Sequence, residues 1–242
     1  MIKKPSLFFK MRCQQVFLVC CIAVFSLLLI PGCGMDKKID SYMNRETNGT
    51  EQTLVEDIPE QERTEADWIV YGARQEVERG VDYDMSYYDI EYPGGDPPED
   101  RGACTDVVIR ALRYAGIDLQ KRLHEDMSEN FNLYPDNWGL AEPDPNIDHR
   151  RVPNQMVYFE RYAKAIPPGE TEDQEAYSAG DIIVWNLPAG GKHVGIVSDI
   201  TSEDGTPLII HNISGAAEEN VLRRWEIIGH YRYPLLSYNL KN

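Results

Sequence analysis

GDIIVWNLPAGGKHVGIVSDITSEDGTPLIIHNIS, residues 180–214, decides the fold. Three short apolar runs, IIVW, HVGIV and PLIIH, are divided by Gly, Pro, Asp and Asn. Apolar runs of this length between turn formers read as strands, and successive ones read as an antiparallel sheet. GHYRYPL, from Gly229, adds a further strand. Upstream the period changes. In DRGACTDVVIRALRYAGIDL, residues 100–119, Val107, Val108, Ala111, Leu112 and Ala115 recur at helical spacing, and Gly116 suits the stop. An earlier helix opens on Thr64 and Asp67, a capping-box pair, and carries Ala66, Ile69, Val70, Ala73 and Val77 on one face, with Gly80 at its end. LQKRLHEDMSENF, from Leu119, reads as another helix. Residues 81–92, rich in Tyr and Asp, suit a short strand or a loop. Residues 134–154, with four prolines, read as ordered loop. Helices first and strands later make an α+β domain, with N-terminal helices packed on a C-terminal antiparallel sheet.

The chain begins with a different kind of segment. Lys3, Lys4, Lys10 and Arg12 precede an almost wholly apolar run, Val16–Ile30, and small residues close it. That order makes a secretory signal, and the run is short for a span of about 20 residues. LLIPGC resembles a lipobox, which implies lipidation of Cys33. An ordinary signal or an uncleaved anchor remain the alternatives, and all three place the rest outside the cytoplasmic membrane. The expected organisation is therefore a leader over 1–33, a polar tether over 34–63 and one domain over 64–242. A domain of roughly 180 residues is long enough to bury a real core.

The whole chain carries a formal net charge of −16, and loss of the basic leader makes the remainder more acidic. Such a surface repels nucleic acid and anionic head groups. No Gly-rich phosphate loop, GxSxG, HExxH or paired CxxC occurs, so neither a metal nor another cofactor is expected.

Five cysteines are present, and only Cys104 falls within the folded part. A lone thiol in an exported domain is either reactive or a small buried apolar side chain, and the residues alone leave both readings open. At a helix start the amides favour a thiolate, and a nearby imidazole favours it further. His193 begins HVGIV and shares a strand face with Gly195 and Val197. His211 stands on a neighbouring apolar strand, where pairing would let it fix the tautomer of His193. Asn212 is the other orienting candidate, though it belongs on the opposite face. His124, His149 and His230 read as structural.

Taken in order, YPGGDPPEDRGACTDVVIRALRYAGIDL, HVGIVSD and LIIHN resemble NlpC-type cell-wall cysteine peptidases, of papain-like fold. The segment from about 80 to 235 is similar to a bacterial family of unknown function, numbered 1287; DRGACTDVVIRALR, HEDM, NIDHRRVPN, HVGIVSD and IIHN carry that likeness. The resemblance implies an envelope amide hydrolase acting on peptidoglycan peptides. Cys104 matches the nucleophile, His193 the general base and acid, and His211 the orienting third residue. It also implies that Tyr92 helps hold the oxyanion beside the nucleophile. Ala103 stands where the peptidases carry Asp, and Thr105 and Asp106 stand where they carry Ser-Gly; Asp106 is taken with Tyr92 as a candidate oxyanion or substrate contact. Asp148, His149 and Arg150 either line the cleft or lock a long loop by ion pairing. A lipid-tethered binding module without turnover and an acyl or amide transferase are the rival readings. Partners other than an envelope peptide and, through the lipid, the membrane are not implied.

Overall fold

A computed structural model describes residues 53–167 and 176–233. The leader and Cys33 lie outside the described residues, as does most of the expected tether. The packed chain begins earlier than residue 64. Short 3-10 turns occupy Val55–Asp57 and Glu60–Glu62. Val55 is buried, and its amide donates to Asp199 Oδ2 at 2.8 Å. An apolar residue in an otherwise polar stretch is what fastens this segment.

Helix α1, Glu65–Glu78, starts at the predicted box: the Asp67 amide donates to Thr64 Oγ1, and the Thr64 amide to Asp67 Oδ2 at 2.7 Å. Two short strands, β1 (Asp82–Tyr83) and β2 (Arg101–Gly102), pair in parallel. Helix α2, Cys104–Tyr114, follows β2 after the single residue Ala103. Gly116 takes a φ of 75° just beyond it, a conformation that suits glycine. Helix α3 spans Leu119–Asn130, capped by Asp118, whose side chain accepts from the Lys121 amide.

Residues 134–154 contain a 3-10 turn, Asp148–Arg150, and the start of helix α4, Val152–Tyr162. This helix runs against the loop reading of its first residues. Pro153 lies in its first turn, where the missing N–H is no loss, so the proline marks a beginning and not an interruption.

The main sheet has six strands in the order β3-β8-β4-β5-β6-β7, all antiparallel. They are β3 (Lys164–Ala165), β4 (Ile182–Asn186), β5 (Lys192–Thr201), β6 (Pro207–Asn212), β7 (Ala216–Glu219) and β8 (Glu226–Arg232). The architecture is α+β, with helices preceding a C-terminal antiparallel sheet. One face packs on the helices: Val184, Val194, Ile196 and Ile210 meet Ile69, Val108, Leu112 and Phe159. The other face carries Ile183, Trp185, Val197 and Ile209, covered by Val221 and Leu222. Alternation along β4, β6 and β5 as far as Val197 sorts these side chains onto the two faces; beyond Val197 the register of β5 shifts, and the adjacent Ser198 and Asp199 both reach Arg74 of α1.

Candidate active site

Cys104 opens α2 and is 6% exposed. Burial pushes its thiol up to about 11, while the amides of Val194, Thr105 and Cys104 itself pull it back and Asp106 adds to the rise. The sulfur therefore lies against the peptide joining His193 to Val194. Pairing of β5 with β6 starts only at Ile196↔Ile210, beyond that amide. An ionised sulfur at the helix tip was the expectation. Desolvation outweighs three amide dipoles here and favours the neutral thiol.

The imidazoles form a line on the Trp185 face. His193 Nε2 meets His211 Nδ1 at 2.8 Å, and His211 Nε2 meets Glu219 Oε1 at 3.1 Å. A carboxylate only accepts, so His211 Nε2–H donates to Glu219 Oε1. His211 Nδ1 is then a bare acceptor, and His193 Nε2 must donate to it. The proton-free nitrogen of His193 is thus Nδ1, the form a general base needs. Indole rings wall the pair, with Trp185 5.8 Å and Trp225 5.7 Å from the His193 ring. Burial lowers His193 to about 3, with His211 adding to the fall. Burial also lowers His211, and Glu219 offsets part of that shift.

No hydrogen bond joins the sulfur to either imidazole among the described residues. His193 leaves β5 on the Trp185 face, whereas Cys104 packs in the cluster that holds Val194. The two groups flank one peptide unit and do not touch as an ion pair. Catalytic hydrogen bonds often tighten only once substrate is bound.

Gly195 sets the spacing of the histidine strands. A Cβ built there would stand 2.7 Å from Ile209 Cγ2 and 3.1 Å from His211 Cβ. The space beside the imidazole is filled by β6, so strand packing is its use.

Tyr92 is not at this site. It is 41% exposed and packs edge-on against His124 at 4.8 Å. The tyrosine near the thiol is Tyr83, whose pKa is raised by burial and then by Cys104 and Asp106. Parallel pairing of Tyr83 with Gly102 carries it there. Asn212, on the helix face as anticipated, holds both short strands by donating to the carbonyls of Val81, Asp82 and Gly102, the last at 3.0 Å.

Asp106 has both carboxylate oxygens engaged by protein groups. Its Oδ2 accepts from the Ala103 amide at 2.6 Å, capping α2 where Ala103 has no side-chain oxygen to offer. Arg150 grips the same carboxylate with two bonds of 2.8 and 2.9 Å. Thr105 Oγ1 donates to the Arg150 carbonyl at 3.0 Å, and Gln155 Nε2 to the His149 carbonyl at 2.9 Å. The Asp148–Arg150 turn is thereby locked onto the start of α2. Asp148 accepts from the Asp144 amide and from Arg151, both at 2.6 Å. His149 is buried, and desolvation with Arg150 nearby lowers it to about 3. Of these three residues only Arg150 borders the cleft; the locking role describes the set.

The cleft over Cys104 encloses about 970 Å³. Tyr83, Met85, Trp138, Arg151 and Lys192 are on its walls. Among the described residues no group of three His, Cys, Asp or Glu is placed to hold a metal ion.

Residues 70–233 match the family described as "Domain of unknown function (DUF1287)". The chain belongs to that family. It is also 53% identical over 166 residues to a protein of Escherichia coli (strain K12) named "Uncharacterized protein YijF", covering 68% of this chain and 80% of that relative. No solved structure matches. The DUF1287 span takes in β5, β6 and β7 and all of the helix that begins at Cys104.

Proposed function

We propose that this chain is an envelope-anchored cysteine amide hydrolase of NlpC-like, papain-like type acting on peptidoglycan peptides. The observation that carries the reading is the Glu219–His211–His193 line, which leaves the lone pair of His193 on Nδ1, while the amide of the next residue, Val194, meets the Cys104 sulfur. The substrate class and the lipid tether at Cys33 come from sequence resemblance.

On substrate binding, His193 Nδ1 takes the thiol proton as the sulfur attacks the amide carbonyl carbon. The tetrahedral oxyanion accepts from the Cys104 amide and the Tyr83 hydroxyl. The C–N bond breaks, the proton passes from His193 to the leaving amine, and a thioester remains. Water then attacks the thioester, giving one proton to His193, which returns it to the departing sulfur. The proton moves with bond formation, so a neutral resting pair suits the step: an ion pair would be costly in this dry site.

The rival is a tethered binding module, favoured by the raised thiol and the absence of a sulfur–imidazole bond. Digestion of purified peptidoglycan, followed by mass spectrometry, separates the two. Wild-type protein releases peptide fragments, and Cys104→Ala loses at least about 10⁴-fold in rate. Equal release by both proteins, or none by the wild type, refutes the hydrolase.

A further inference from the structure

The charge around the cleft is opposite to that of the chain. The sequence has 40 Asp and Glu against 24 Lys and Arg. Yet none of the described residues bordering the cleft is acidic, and three are Arg150, Arg151 and Lys192. Two of these cations are already answered. Arg150 is neutralised by Asp106. Arg151 pairs with Asp148 at 2.6 Å and stacks over the Trp138 ring at 4.0 Å.

Lys192 differs. Its one side-chain hydrogen bond among the described residues runs from Nζ to Asn186 Oδ1 at 3.3 Å, a neutral acceptor. Glu226, opposite Asn186 on β8, is held by Asn186 Nδ2 at 2.8 Å and forms no ion pair with Lys192. Alternation puts Lys192 on the same face of β5 as Val194, in whose cluster Cys104 packs. An unanswered ammonium therefore borders the cleft on the sulfur's side, next in sequence to the base.

We infer that the cleft selects peptides bearing a free carboxylate, and that Lys192 is the residue that holds it beside the scissile amide. Charge-assisted hydrogen bonds are among the strongest polar contacts, and no acid among the described residues lines the cleft to compete. The negative field of the chain does not forbid this choice. At physiological salt it is screened within about 8 Å, so the local cation decides. Arg151 and Trp138 offer a second, flatter surface for the rest of the peptide. The idea deepens the hydrolase reading and rests on it only for which bond is cut, because charge preference is a property of binding.

The test uses full-length Cys104→Ala protein as an immobilised trap. The probe is the soluble peptide pool released from purified peptidoglycan, offered untreated and after carbodiimide conversion of its carboxylates to amides. Retained peptides are quantified by mass spectrometry. The untreated pool is expected to be retained about tenfold better. Adding Lys192→Gln erases that preference with an unchanged circular dichroism spectrum, and adding Lys192→Arg preserves it. Equal retention of the two pools, retention of neither, or a preference indifferent to Lys192→Gln overturns the inference. If wild-type protein leaves the pool uncut while the preference persists, the hydrolase reading fails and the carboxylate site stands.

Discussion

Cys104 and His193 are neighbours held by different means. The sulfur is fixed by backbone: it starts a helix, meets three amides and has no charged side chain for a partner. The imidazole is fixed by side chains: His211 orients it, Glu219 orients His211, and indoles exclude water. Backbone amides define a place for negative charge without creating one. A side-chain relay defines where a proton can go. The difference teaches that the two halves are prepared separately; in the proposed mechanism a bound ligand brings the thiol to the free nitrogen.

The largest test of that contrast is the thiol itself. With its pKa pushed to about 11, roughly a thousandth of the sulfur is ionised at pH 8. Iodoacetamide labelling of the ligand-free protein, followed by mass spectrometry, should rise about tenfold per pH unit from 8 to 10. Rapid labelling at pH 7 would mean that the resting pair is already ionised.

The support beneath the sulfur comes next. Asp106→Asn leaves the Arg150 guanidinium buried beside a neutral amide. Breaking such a pair from one side costs about 3–5 kcal/mol. Thermal unfolding followed by circular dichroism should register a fall in Tm of roughly 10 °C. A change within 2 °C would show that Arg150 finds another acceptor and that α2 does not depend on it.

The smallest effect is expected at the far end of the relay. Glu219→Gln removes the charge that raises His211 and replaces a pure acceptor with a group that also donates. We expect kcat to fall by about threefold to tenfold. The acid limb of kcat/KM should move to lower pH, because the histidine pair becomes harder to protonate. An unaltered pH profile would remove Glu219 from the relay.

Much of this arrangement was legible in the residues. The capping pair Thr64 and Asp67, the apolar face after Cys104 and the strands around His193, His211 and His230 were all set by local patterns. The meeting of the two imidazoles also followed from alternation on neighbouring strands. What escaped depended on distant partners. Ala216–Glu219 has a weak strand composition and becomes β7 only because β6 offers an open edge, so Glu219 was not foreseen. Tyr83 was passed over for Tyr92 because its position depends on pairing with Gly102, far along the chain. Asp106 was read as a ligand contact because a first-turn acid looks the same whether it caps its own helix or faces a substrate. Its bidentate partner, Arg150, is supplied by a turn that the prolines of residues 134–154 made look irregular.

Gly195 has a further consequence. The separation of two proton-carrying rings is governed by an atom that is missing, not by either ring. Enlarging that residue would wedge the strands apart and detune the relay while every reactive group stayed in the chain. A member of this family can therefore keep its full roster of chemical groups and still be silent, so a roster alone does not certify an enzyme.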